Sequence, residues 1–197
     1  MKRTCSIFIS IFALLLLTNC FIFRNPVEGE KVLKLYKDRE GNVNITGDLK
    51  IKDLQKRPSF SEWYMTEYNN YVVNIPKTQK RWLKNLFINR SVQIFMGTWC
   101  EDSKREVPRF MKIMDYLDIP KSKIQLIGIN DQKHAFSGQD FGKRIQYVPT
   151  FIFYHNEFAD ETPTEIGRIV ERPVETLEKD LLKILSGDAY VPNYAGQ

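Results

Sequence analysis

The segment Ser91–Phe110, SVQIFMGTWCEDSKREVPRF, decides the fold that we expect. Apart from Gln93, residues 92–96 are apolar over the length of a strand, with β-branched and aromatic side chains among them, and the charged residues from Glu101 onward favour a helix. A glycine and a threonine at 97–98 make the turn between them. Cys100 therefore lies between a buried strand and the first turn of a helix, where free N–H groups and the helix dipole favour a thiolate.

This segment resembles the reactive site of the thioredoxin family, in which Trp-Cys-x-x-Cys is followed by a proline five residues after the second cysteine. Trp99 and Cys100 match that pattern, and Pro108 lies five residues after position 103. Position 103 departs from it, because Ser103 stands in place of the second cysteine. The resemblance implies an α/β thioredoxin-like fold, with a central mixed β-sheet flanked by helices and a site that has one thiol.

A second part of the resemblance lies at residues 147–154, an apolar strand that Pro149 opens. In the thioredoxin family a cis-proline at the corresponding place packs against the reactive cysteine, and the resemblance implies this role for Pro149. The two matching segments occur in the family's order, and the resemblance covers about residues 76–187. It implies Trp99, Cys100, Ser103 and Pro149 as the site residues.

Another departure concerns the buried charges of the family. Dithiol members carry an acidic residue six positions before the reactive cysteine and a lysine in the next strand, and we match these places to Ile94 and Ile127. Without a second thiol to activate, a buried charge there would only cost desolvation energy. The departures fit either a dedicated monothiol site or a site that has lost its activity.

The N-terminus has the pattern of an export signal. Lys2 and Arg3 precede the apolar run 7–17, which is too short for a comfortable membrane span. The run ends in Leu-Thr-Asn-Cys, which resembles a bacterial lipobox and implies lipidation of Cys20. We therefore predict a lipoprotein-type signal peptide over residues 1–20 and a bacterial cell-envelope location with a lipid anchor in the membrane. An uncleaved signal anchor is the alternative, and both imply export.

Three further regions follow the signal. Residues 21–58 form a tether or a small hairpin, and their polar composition favours the tether. Residues 59–75 carry aromatic residues at spacings of three and four, which predicts a helix that packs on the following domain. Residues 76–197 then form the thioredoxin-like domain.

Helices inside that domain are predicted from caps and apolar spacing. Thr78 is expected to cap a helix that buries Trp82, and a short helix is expected within residues 136–145. Pro173 is expected to be the first residue of the last helix, with Val174 in its buried stripe and Gly187 ending it. These predictions are local, because each depends on spacing within one segment.

Composition excludes several classes of function. Cys100 is the only thiol that remains free if Cys5 is removed with the signal and Cys20 is lipidated, so a disulfide-stapled scaffold is excluded. No cysteine or second histidine lies at ligand spacing from His134 or His155 in the sequence, and no glycine-rich phosphate loop occurs, so we expect no metal and no cofactor. The net charge of +5 falls to about +3 without Lys2 and Arg3, which is too mild to favour nucleic acid.

Three hypotheses for function remain open. The first is a thiol exchanger whose Cys100 forms mixed disulfides with protein or small-molecule partners; Ser103 cannot resolve them, so an external thiol must. The second is a non-catalytic binding module of the same fold, which holds client proteins in a groove at Trp99 and Pro149. The third is a thiol peroxidase, which is the weakest because that family has a threonine where this chain has Gly97.

Overall fold

The computed structural model of the chain describes residues 33–156 and 162–196. In this part of the chain the strands are β1 (Leu33–Lys37), β2 (Val43–Leu49), β3 (Arg90–Met96), β4 (Ile124–Gly128), β5 (Thr150–His155) and β6 (Thr164–Val170). The α-helices are α1 (Ile51–Lys56), α2 (Pro58–Asn70), α3 (Lys77–Leu86), α4 (Glu101–Tyr116) and α5 (Leu177–Ser186). Residues 1–32, which include the expected signal peptide and Cys20, lie outside the described residues.

The strands form one six-stranded sheet in the order β1-β2-β4-β3-β5-β6. The central pair β3 and β4 is parallel, and every other neighbouring pair is antiparallel. The expectation of an α/β fold with a central mixed sheet and flanking helices is therefore confirmed. None of the helices in the described part of the chain is both long enough and apolar enough to cross a bilayer.

The two faces of the sheet are covered differently. Ile94 belongs to a core cluster that also holds the buried apolar side chains of all five helices named above. Ile127 belongs to a second cluster, which side chains from the segment 129–148 cover. Ile94 pairs with Leu126 and Phe95 pairs with Ile127, so the side chains of Ile94 and Ile127 lie on opposite faces of the sheet. Ile94 is fully buried among apolar residues.

Residues 33–58 are part of the domain, and the preference for a tether over this stretch is wrong. β1 and β2 form an antiparallel hairpin, which joins the sheet through the β2 pairs Gly47–Gly128 and Leu49–Leu126. α1 then packs on α2. At about 3.4 Å per residue, the hairpin from Gly47 back to Val43 projects about 14 Å beyond Gly128. That edge of the sheet is also the edge at which β3 ends.

The expected helix within residues 136–145 is absent, and these residues form turns instead. Gly138 and Gly142 both have a φ of +74°, a conformation that a right-handed helix does not contain. The carboxylate of Asp140 accepts a hydrogen bond from the Ala135 amide at 2.8 Å, which stabilises the turns locally.

The last helix begins later than expected. Thr176 caps α5, because its side chain accepts a hydrogen bond from the Lys179 amide at 3.2 Å. The buried Asp180 carboxylate accepts from the Val174 amide at 2.6 Å and so holds the preceding residues as a loop. Val174 is exposed as a consequence, whereas Gly187 ends the helix with a φ of +76° as expected.

α3 is also shifted from its predicted start. Pro76, not Thr78, is its N-cap residue. Leu83 is buried at 2% exposure, whereas Trp82 is 47% exposed and does not belong to the buried stripe. Successive helical side chains point about 100° apart, and in α3 Leu83 faces the core while Trp82 points away from it.

Candidate active site

The reactive loop, residues 97–100, joins the end of β3 to the start of α4. Gly97 is required there, because a Cβ at this position would lie 2.5 Å from the Trp99 ring. The Trp99 indole donates a hydrogen bond to the Ile129 carbonyl oxygen at 3.1 Å, and the Lys133 ammonium lies 4.4 Å from the ring centroid. Trp99 is therefore fixed on both sides, next to Cys100.

Cys100 is the N-cap residue of α4 and is a free, half-buried cysteine. Its Sγ donates a hydrogen bond to the Val148 carbonyl oxygen at 3.1 Å. The Val148–Pro149 peptide bond is cis, and Pro149 is buried. The structure therefore brings Trp99, Cys100 and Pro149 together from segments almost fifty residues apart, since the Cys100–Val148 contact spans 48 positions.

Two further hydrogen bonds hold the proline segment beside the cysteine. The Thr150 hydroxyl donates to the Tyr147 carbonyl oxygen at 2.7 Å, and the Glu171 amide donates to the Pro149 carbonyl oxygen at 2.7 Å. These bonds tie the segment to itself and to the residue that follows β6. The sulfur of Cys100 therefore faces a supported segment of backbone.

Ser103 is fully buried one turn into α4. Its Oγ accepts a hydrogen bond from the Gly97 amide at 3.2 Å. This bond satisfies a backbone N–H at the end of β3 and fastens the first turn of α4 to the strand. The Ser103 side chain thus has a structural partner in this protein.

The charged residues of the first turn of α4 are paired with one another. Glu101 forms an ion pair with Lys104, and Asp102 forms one with Arg105. Two acidic side chains beside Cys100 would by themselves oppose a thiolate. Each of these two acidic side chains therefore has a cationic partner within the same turn.

A buried hydrogen-bond network on the other side of Trp99 contains residues that the sequence did not indicate. Thr98 Oγ1 accepts from the Ile45 amide at 3.2 Å and donates to Asn44 Oδ1 at 2.9 Å. The Asn44 amide group donates to Asp38 Oδ2 at 3.0 Å in the hairpin turn. Partial burial acts to raise the pKa of Asp38, but hydrogen bonds from Asn42 and Asn44 outweigh it and lower the pKa below its ordinary value.

No sequence signal would have identified this network, because its members belong to segments that are distant along the chain. Thr98 and Asn44 are 54 positions apart. The alternation at Val43-Asn44-Ile45 indicated a strand but not its partner. The hairpin is therefore a part of the site that only the tertiary structure reveals.

Metal ligands are not gathered at this site. Within residues 33–156 and 162–196, no group of three or more His, Cys, Asp or Glu side chains is placed to hold a metal ion. His134 pairs with Asp140 at 3.0 Å in the turn segment. The chemistry that the arrangement offers is therefore that of the Cys100 sulfur and the hydrogen-bonding groups around it.

Comparisons with known proteins assign no family to the chain. No protein-family model matches it, and no curated protein matches it. Among solved structures it is similar to a protein of unknown function from Pseudomonas aeruginosa, with a TM-score of 0.38 and 17% sequence identity. That match covers 64% of this chain and 72% of the other. A similarity this weak carries no argument about fold family or function.

Proposed function

We propose that the chain has a thioredoxin-like fold and exchanges thiols and disulfides through the single reactive cysteine Cys100. The fold part of the proposal is supported by the connectivity from β3 onward. In chain order, β3, α4 and the parallel strand β4 are followed by the antiparallel strands β5 and β6 and then by α5. A cis-proline, Pro149, immediately precedes β5. These features occur in the order that the sequence motifs imply.

The position of Cys100 supports the functional part of the proposal, which is thiol–disulfide exchange. Cys100 is the N-cap residue of α4, and its half-exposed thiol lies 3.1 Å from the carbonyl oxygen before Pro149, with Trp99 fixed beside it. A thiolate there can attack one sulfur of a substrate disulfide, forming a new S–S bond to Cys100 as the other sulfur leaves with the electron pair. The leaving thiolate takes a proton from water, and the substrate remains covalently attached.

Ser103 defines the second half of the reaction. Its hydroxyl does not exchange with sulfur, and it is buried and bonded to the Gly97 amide. The mixed disulfide on Cys100 therefore waits for an external thiol, whose attack releases the substrate or exchanges it for another partner. Protein or small-molecule thiols can supply this step.

The decisive experiment follows the adduct on Cys100. Incubation of the full chain with a protein disulfide should give a one-to-one adduct by intact mass, released by glutathione or dithiothreitol, and little turnover in an insulin reduction assay. Ser103→Cys should gain turnover, because it places a second sulfur one helical turn from Cys100. Turnover by the unmodified chain without added thiol would contradict the resolving step, and the absence of any adduct would contradict the exchange itself.

A non-catalytic binding module is the second candidate, and one observation favours it. The Cys100 thiol donates to the Val148 carbonyl oxygen, a contact that a thiolate cannot make. The rate of alkylation of Cys100 as a function of pH separates the two candidates. A slow alkylation with the pH dependence of an ordinary thiol supports the binding module, and a fast alkylation near neutral pH supports exchange.

We further propose that the domain is exported and held at the bacterial cell envelope by lipid on Cys20. The support is the lipobox-like sequence that ends at Cys20, 13 positions before β1 begins at Leu33. The protein should partition with membranes, and Cys20→Ala should release it from that fraction if the signal is still cleaved. Failure of labelled fatty acid to enter the unmodified chain would contradict the anchor without affecting the proposal for Cys100.

A further inference from the structure

A groove of about 1000 Å³ opens beside Trp99, and neither the cysteine chemistry nor the fold accounts for it. One wall is the β1–β2 hairpin, which projects about 14 Å past Gly128. The opposite wall includes the first turns of α2, with Trp63, and the floor includes Thr98, Trp99 and the Glu101–Lys104 pair. The groove thus adjoins the residue next to Cys100.

The hairpin wall is rigidly joined to the reactive loop. Thr98 and Asn44 are buried at 3% and 2% exposure, and the hydrogen bond between them links the two segments directly. Asp38 closes the turn by accepting hydrogen bonds from the Asn42 amide at 2.8 Å and from the Asn44 side chain at 3.0 Å. A ligand that contacts the hairpin is therefore held at a fixed distance from Cys100.

The groove carries unpaired charges of both signs. Within the described part of the chain, Lys37, Asp38, Arg39, Glu40 and Asp131 form no ion pair, and all five line the groove. Two cations and three anions do not suit a polyanion such as nucleic acid or an anionic lipid surface, which would need one sign of charge. They suit a partner that itself carries both signs.

Aromatic surface lies between these charges. Trp63 is half-buried, packs against Phe60 and Tyr64 with ring centroids 6.4 and 6.0 Å away, and keeps part of its ring on the groove. Trp99 supplies a second ring, which its bond to Ile129 holds in place. Rings with fixed positions bind apolar side chains and amide planes at a low cost in entropy.

We propose that this groove binds a segment of polypeptide that flanks the substrate cysteine, and that Arg39, Glu40 and Trp63 set the preference among such segments. Polypeptide is the partner that combines amide groups, apolar side chains and charges of both signs. The proposal rests on thiol–disulfide exchange at Cys100. It makes the hairpin and α2 the elements that select a protein substrate over a small disulfide.

Two activated disulfides with the same leaving group test the proposal. One is a peptide of mixed charge with a central cysteine bound to thionitrobenzoate, and the other is free cysteine bound to thionitrobenzoate. Cys100 attacks the cysteine sulfur of either probe, a new S–S bond forms, and thionitrobenzoate leaves with the electron pair as a coloured anion. The full chain is used, and the rate of its Cys100→Ser variant is subtracted to remove contributions of other cysteines.

The peptide should react about tenfold faster than activated cysteine, the ratio that corresponds to about 1.4 kcal/mol of binding at the groove. Arg39→Glu should reduce the peptide rate by up to about fivefold, as expected for an exposed charge pair, with the loss shrinking at high salt. Trp63→Ala should reduce it further. Neither change should alter the rate with activated cysteine, because that probe does not reach the groove.

Matched controls lie on α3, outside the groove. Arg81→Glu and Trp82→Ala change the same residue types at exposed positions, and both should leave the ratio of the two rates unchanged. If Trp63→Ala fails to fold, the Arg39→Glu variant alone tests the proposal. Arg39 is exposed in the hairpin turn, so its replacement should not disturb folding.

Equal rates for the two probes, or an equal loss in the α3 controls, would overturn the groove proposal while leaving exchange intact. Absence of reaction with both probes would instead overturn the exchange on which the proposal rests.

Discussion

The two neighbours of Trp99 are held in opposite ways. Thr98 is buried and uses its hydroxyl twice, accepting from the Ile45 amide and donating to Asn44. Cys100 is half-exposed, and its sulfur has one hydrogen bond, to Val148. One side of the loop is therefore held by a frame of hydrogen bonds among Thr98, Asn44 and Ile45, and the other side carries a half-exposed thiol. This difference predicts that mutations can separate stability from the reactivity proposed for Cys100.

Removing the frame should have the largest effect on stability. Thr98→Val leaves the Ile45 amide and Asn44 Oδ1 without their partner, and at about 1–3 kcal/mol for each buried group we expect a loss of about 2–6 kcal/mol. Thr98→Ser keeps the hydroxyl and should lose less than half of that. The measurement is the free energy of unfolding in urea. Equal losses in both variants would show that the methyl group, and not the hydrogen bonds, supports the loop.

The second prediction concerns Ser103. Its hydroxyl supports the loop through a hydrogen bond, as the frame does, although the motif on which the proposed function rests would have a second cysteine at this position. Ser103→Ala leaves the Gly97 amide unsatisfied, and we expect a loss of about 1–2 kcal/mol in the free energy of unfolding. The rate at which Cys100 forms its first adduct should change little. A large fall in that rate with unchanged stability would instead make Ser103 part of the reactive machinery.

Sequence reasoning described the reactive side of this comparison better than the frame. The β3–α4 unit is local: an apolar strand, a turn and a charged helix follow one another within twenty residues, so periodicity was sufficient. The position of Pro149 came from the resemblance, and the cis bond at that proline agrees with it. The thioredoxin-like family itself remains a proposal, because no comparison bears on it.

The frame could not be predicted, because its contacts are not local. β2 pairs with β4 through residues about 80 positions away, as in Gly47–Gly128, and nothing in the polar hairpin sequence specifies that partner. Local signals also failed where side chains compete with the backbone. Asp140 holds turns where a helix was expected, and Asp180 with Thr176 delays the start of α5.

A third and smaller effect is expected at the far end of the frame. The pKa of Asp38 is lowered from its ordinary value of 3.8, with burial opposing and hydrogen bonds from Asn42 and Asn44 prevailing. A carboxyl with a lowered folded pKa adds stability that is present above the unfolded pKa and is lost as pH falls through the folded pKa.

The difference in stability between the unmodified chain and Asp38→Asn should therefore shrink as the pH falls from neutral to about 3. Glu40→Gln changes a carboxyl in the same turn that has no ion pair among the described residues, and it is the matched variant with which the Asp38→Asn trend is compared. A difference that is constant with pH would contradict the role of the Asp38 charge.

The smallest change in stability is expected at Cys100 itself. Cys100→Ser keeps a donor for the Val148 carbonyl oxygen and alters a half-exposed side chain, so the free energy of unfolding should stay within about 0.5 kcal/mol. Adducts at this position should disappear completely, because a hydroxyl does not exchange with a disulfide. Thr98→Ser, measured in parallel, should keep the adduct, since it leaves the sulfur in place. A loss above about 1 kcal/mol in Cys100→Ser would mean that the thiol is part of the frame, and the binding-module candidate would then replace exchange.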